Sequence, residues 1–174
     1  AMTNAARVGF PRDRMMYVTF GAAEEDMVPA GDAAIGTYAV ANALPGDDTV
    51  LLGPGLYALS LTGADEDAAL TGDLDVTESL TIIGTGADTT IIDAAGLDRV
   101  FQVFAGASLN LSGVTITGGD VVGKGGGLYN EGHVSLRDST VTGNSSADRG
   151  GGIYSATGAD LNVADTTISN NTTD

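Results

Sequence analysis

The chain has 174 residues, seven Lys and Arg against 23 Asp and Glu, 26 Gly, no Cys and no Trp. A net charge of −16 gives the wrong field for neutralising phosphates, so nucleic acid is excluded as a partner. The absence of Cys removes disulfide frameworks, Cys-ligated zinc and thiol catalysis. No apolar run approaches the roughly 18 residues needed to cross a bilayer.

Ala1-Met2 reads as a cloning scar, and residues 1–14 as a scar or irregular leader. Arg7, Pro11, Arg12 and Arg14 interrupt what would have to be the apolar core of a signal peptide, so no export signal is expected in this stretch. Residues 15–47 do not repeat and are expected to form an N-terminal cap. Asp32 suits the N-cap of a short helix over 33–44, and Pro45-Gly46 would end it. Such a cap would cover the exposed apolar row and strand edges of a first coil.

Between Arg14 and Arg99 there is no Lys or Arg, while fifteen acids lie in that interval. The densest group holds Asp65, Glu66 and Asp67, then Asp73 and Asp75, with Glu78 beyond. Carboxylates on a turn are oxygen ligands for calcium, so these five residues are the candidate metal site and calcium the candidate cofactor. The spacing matches neither an EF-hand nor a Gly-Gly-x-Gly-x-Asp nonapeptide, and a solvated acidic loop explains the cluster equally well.

From residue 48 onward the chain repeats itself. Gly125-Gly126-Gly127-Leu128-Tyr129-Asn130 recurs 25 residues later as Gly150-Gly151-Gly152-Ile153-Tyr154-Ser155. Val134-Ser135-Leu136 recurs as Leu161-Asn162-Val163, and Val141 to Asn144 as Ile168 to Asn171, at a shift of 27. Leu109-Asn110-Leu111 and Ile116-Thr117-Gly118 form an earlier copy. Within each copy apolar residues alternate over three to five positions, the period of a strand, and Gly or Asn stands between the segments.

A helix-free unit of about 25 residues with two or three short strands is one coil of a parallel β-helix. The expected fold is therefore all-β: a single-stranded parallel β-helix over 48–174, about five coils long, with an open or truncated C-terminal end. Stacking at about 4.8 Å would set Leu128 on Ile153, Tyr129 on Tyr154, Leu136 on Val163, Val141 on Ile168 and Asn144 on Asn171. An open end could pair with a second copy, end to end.

The Gly-Gly-Gly-Leu/Ile-Tyr segments, followed by Ser-Thr-Val-Thr-Gly-Asn or Thr-Thr-Ile-Ser-Asn-Asn, resemble repeats of secreted and surface bacterial β-helix proteins of the pectate-lyase-like superfamily. They are also similar to polymorphic outer-membrane-protein repeats, with Val141 and Ile168 in place of the usual Phe. Residues 41–50 and 66–86 resemble the N-terminal part of CSLREA-type β-helix proteins. The resemblance implies a right-handed helix and display outside the cell or on its surface, and no particular reaction.

Chemistry is sparse in the repeats. Were the protein a polysaccharide lyase or glycoside hydrolase, Asp120, Asp138 and Asp165 would be the candidate catalytic carboxylates, the last two being repeat equivalents. His133 is the single His and has no evident partner in sequence. Asn144-Ser-Ser and Asn171-Thr-Thr fit the glycosylation sequon, but an amide ladder at a corner accounts for both. The expected function is a non-enzymatic structural or adhesive segment of a larger exported protein; a carbohydrate-binding or carbohydrate-cleaving β-helix is the alternative.

Overall fold

A computed structural model describes residues 14–18, 47–60, 62–63 and 72–174, the first of these as backbone. The helix expected over 33–44 and the acids Asp65, Glu66 and Asp67 lie outside these residues.

The described chain is a stack of parallel coils. Strand β1 (Arg14–Val18) precedes a first coil of β2 (Asp47–Leu52), β3 (Gly55–Ala58) and β4 (Leu74–Val76). The second contains β5 (Ser79–Ile83), β6 (Thr90–Asp93) and β7 (Phe101–Val103). The third runs through β8 (Ser108–Ser112), β9 (Thr115–Thr117), β10 (Asp120–Val121) and β11 (Leu128–Asn130). The fourth comprises β12 (His133–Arg137), β13 (Thr140–Thr142), β14 (Ser145–Ser146) and β15 (Ile153–Ser155), and β16 (Asp160–Ala164), β17 (Thr167–Ser169) and β18 (Thr172–Thr173) lie above it.

Each strand pairs in parallel with its equivalent one coil away. A six-stranded sheet runs β1-β2-β5-β8-β12-β16, a five-stranded one β3-β6-β9-β13-β17, a four-stranded one β4-β7-β11-β15 and a three-stranded one β10-β14-β18. The parallel β-helix expected from the repeat is the fold observed, at about 27 residues per coil and about four turns rather than 25 residues and five. The step along the six-stranded sheet is 32 residues from Asp47 to Ser79, then 29 to Ser108, 25 to His133 and 27 to Asp160. The first coil is long because β3 ends at Ala58 and β4 begins only at Leu74. Insertions of this kind sit outside the strands, so they lengthen a coil without breaking the ladder. They also erase the sequence repeat. Strand β1, in the stretch read as leader and cap, adds a rung before β2, with Arg14 opposite Asp48.

Alternation along the strands builds the core. Val50, Ile82, Leu111 and Leu136 form one inward column, and Leu80, Leu109 and Val134 form another. Tyr57, Ile92, Ile116 and Val141 line the second sheet, and Phe101 and Leu128 the third. All are buried, and each fully buried Leu, Ile or Val stabilises by about 1.5–3 kcal/mol. Leu128 pairs with Ile153, Tyr129 with Tyr154, Leu136 with Val163, and Val141 with Ile168.

The recurring Gly triplet has two separate causes. Gly125 and Gly150 hold φ of +69° and +68°, which L side chains rarely adopt. Gly126 instead lies so close to the next coil that a Cβ there would collide with the carbonyl oxygens of Ser145 and Gly151.

Candidate functional site

The outward face of the six-stranded sheet is the first surface with chemical character. Because β12 buries Val134 and Leu136, it turns His133 and Ser135 outward. Register then stacks Ser79, Ser108, His133 and Asp160 in one column, and Thr81, Asn110, Ser135 and Asn162 in the next. All of these but Thr81 line an open groove of about 440 Å³ furnished with hydroxyls and amides. His133 Nδ1 lies 2.9 Å from Asp160 Oδ2, with both side chains exposed. The single His therefore does have a partner, one rung on. Sequence reasoning missed it because Asp160 falls beside the two-residue insertion in the turn, off the 25-residue register.

The second polar group lies on the four-stranded sheet. Arg99 Nη1 is 3.1 Å from Asp73 Oδ2 in a buried ion pair, and the same nitrogen donates to Gln102 Oε1. Asp98 Oδ1 accepts the Arg99 backbone N–H at 2.8 Å. Desolvation pushes the Asp73 carboxyl up to about 8; Arg99 opposes this, and the charges of Asp75 and Asp98 reinforce it. Oδ1 of Asp73 and Oδ2 of Asp98 have no hydrogen-bond partner among the described residues.

This cluster bears on the calcium expectation. Asp73 and Asp75 are both buried, and the cation beside Asp73 is the guanidinium of Arg99. Among the described residues no three His, Asp or Glu converge with metal-holding geometry. A fixed guanidinium repels a dication, so Asp73 with Arg99 does not fit calcium.

Arg99 also approaches a column of aromatic rings on the next two rungs. Its guanidinium lies 5.8 Å from the centroid of Tyr129, which packs against Tyr154 at 5.6 Å and an interplanar angle of 56°. Lys124 Nζ sits 4.9 Å from the Tyr154 centroid. Burial raises the Tyr129 hydroxyl pKa above its ordinary value, and the hydrogen bond it donates to Glu131 at 2.9 Å adds to the shift. Lys124 and Arg149 share a backbone bridge across adjacent rungs, and Arg149 Nε lies 3.6 Å from Asp148 Oδ1.

The three candidate catalytic carboxylates occupy two different corners. Asp120 opens β10 and is exposed opposite Ser145. Asp138 and Asp165 are exposed repeat equivalents between the first and second sheets, at φ of +48° and +50°. The preceding coil has Gly113 there, at φ +64°. The corner needs a left-handed residue, which Asp tolerates better than most because its short side chain bonds locally. This backbone role predicts that Asp138→Gly folds with unchanged or higher stability in urea titration. Asp138→Val should lose about 1–2 kcal/mol from the left-handed penalty. Equal behaviour of the two variants would contradict the assignment.

No family model matches the chain, and neither a curated protein nor a solved structure matches it. Its class is the one its fold defines, an all-β parallel β-solenoid.

Proposed function

We propose that this chain is a structural and adhesive β-helix segment of an exported bacterial protein, displayed outside the cell, that binds saccharide surfaces without turning them over. The groove on the six-stranded sheet carries this reading. Its hydroxyls and amides recur once per rung, about 4.8 Å apart, a periodic set of donors and acceptors suited to the recurring hydroxyls of a polysaccharide. The Gly-Gly-Gly-Leu/Ile-Tyr repeats support display, through their resemblance to pectate-lyase-like surface proteins. Asp138 and Asp165, as corner residues, have a structural use that needs no reaction.

The test is a polysaccharide panel read for both binding and products. Saturable binding is expected, weakened at least tenfold by Ser135→Leu, with no unsaturated products and no new reducing ends. Absence of binding across the panel would overturn the adhesive reading. One observation favours the cleaving alternative: His133 oriented by Asp160 in the groove is the arrangement of a general base. Turnover abolished by His133→Ala would establish that alternative.

A further inference from the structure

We propose that Ser108, His133 and Asp160 form a hydrolytic site for carboxylic esters, with acyl substituents on a polysaccharide as the substrate class. The substrate class rests on the saccharide reading of the groove; the chemistry rests on register. Parallel pairing sets Ser108 beside His133 and His133 beside Asp160 on three successive rungs, and all three line the groove. Equivalent positions on adjacent strands lie about 4.8 Å apart. A nucleophile, a base and a carboxylate therefore follow one another in the order that acyl transfer uses. Asp160 Oδ2, 2.9 Å from His133 Nδ1, holds the ring proton on that nitrogen and leaves Nε2 as the free base. The Ser108 hydroxyl makes no hydrogen bond among the described residues, so it is free to turn about χ1 toward the ring. Its bond to His133 is one that forms with substrate in place, a common property of catalytic hydrogen bonds.

Water is the only co-reactant the chemistry needs. Ser108 Oγ attacks the ester carbonyl carbon while its proton passes to His133 Nε2, and the carbonyl electron pair moves onto oxygen. The tetrahedral oxyanion collapses, the bond from carbon to the alcohol oxygen breaks, and the imidazolium returns its proton to the departing alkoxide. Water then attacks the acyl-serine by the same route, releasing a carboxylic acid and restoring the serine. Asp160 acts through His133 as a positioning residue, and its charge stabilises the imidazolium. Asn110, the next outward position on β8, supplies an amide N–H for the oxyanion, and its side chain is likewise uncommitted among the described residues. Esters rather than amides suit this site, because an alkoxide leaves more readily than an amide nitrogen and one side-chain donor stabilises the oxyanion only modestly. The open groove admits a substituent that projects from a long chain. Removing it cuts no glycosidic bond, so neither unsaturated products nor new reducing ends arise.

The test uses the full chain with p-nitrophenyl acetate at neutral pH. Hydrolysis above that of the urea-unfolded chain is expected, falling about a hundredfold in Ser108→Ala and in His133→Ala, both with the circular dichroism of the parent. Asp160→Asn should lower kcat about tenfold or more with KM unchanged, and Asp160→Glu should recover part of the loss. A fluorophosphonate should label Ser108 and not Ser145, which lies on the three-stranded sheet, and His133→Ala should abolish the label. An imidazole can hydrolyse this ester unaided, so hydrolysis that survives Ser108→Ala overturns the serine assignment. No hydrolysis and no label on Ser108 overturns the site and leaves His133 with Asp160 a surface pair. The small-ester assay does not depend on polysaccharide binding, nor the binding panel on ester hydrolysis, so failure here is separable from failure of the adhesive reading.

Discussion

Replacing Asn144 by alanine is expected to destabilise the protein by about 3 kcal/mol, read from urea unfolding. The side chain is buried at the corner between β13 and β14, where it satisfies backbone groups on two rungs. Its Oδ1 accepts the Gly119 N–H at 2.9 Å. Its Nδ2 lies 3.2 Å from Ile116 O, 3.1 Å from Thr142 O and 3.0 Å from Asn171 Oδ1, three acceptors sharing two hydrogens. Alanine leaves the Gly119 N–H and the Ile116 carbonyl without this partner in a buried site, and each orphaned group costs about 1–3 kcal/mol. Asn171 makes the corresponding contacts one rung out, donating to Val141 O at 2.9 Å, but is only half-buried. Asn171→Ala should therefore cost about 1 kcal/mol, because water can replace the lost partner. Equal losses at the two positions would show that burial does not set the strength of this ladder. The same burial withdraws the Asn144 amide from glycosylation once the coil has formed.

The second large effect concerns pH. The folded state holds the Asp73 carboxyl at about 8, against an ordinary value of 3.8, so the native protein binds a proton there that the unfolded chain releases. The stabilisation from this group is fully present below pH 4 and is lost as pH rises through 8. Asp73→Asn keeps the shape and removes the titration. Between pH 5 and 7 the parent should lose stability relative to Asp73→Asn with a slope approaching about 1.4 kcal/mol per pH unit, the limit for one proton. Parallel stability curves for the two proteins would mean that Arg99 keeps Asp73 ionised. Arg99→Ala should be most severe above pH 8, where Asp73 ionises and is left without its buried partner; breaking such a pair costs about 3–5 kcal/mol, and the lost bond to Gln102 adds to this at every pH.

Much of the architecture was legible in sequence, and the reason is specific to solenoids. Each coil contacts chiefly its neighbours, so a self-similar sequence carries the pairing register. The match of Tyr129 with Tyr154 and of Val141 with Ile168 required nothing beyond aligning the repeat with itself. The same logic fails where insertions enter. The stretch between β3 and β4 and the residues around Asp160 shift the register, and they bear on the number of coils and on the partner of His133.

The candidate site was less legible. Asp73 and Asp75 look like cation ligands on a solvated turn, but both are buried, and Arg99, 26 residues after Asp73, returns one coil later to bond Asp73. Asp138 and Asp165 look like stacked carboxylates, whereas their positive φ, inherited from the position of Gly113, makes them corner residues.

What the sequence determined by itself was the fold class and the core columns, because period-two alternation and rung-to-rung repetition are local and neighbouring properties of the chain. The tertiary structure alone decided the electrostatics: which carboxylates are buried, which cation meets them and where the polar groove opens. Those outcomes depend on distances between side chains in different coils, and insertions of unequal length hide such distances from any reading along the chain.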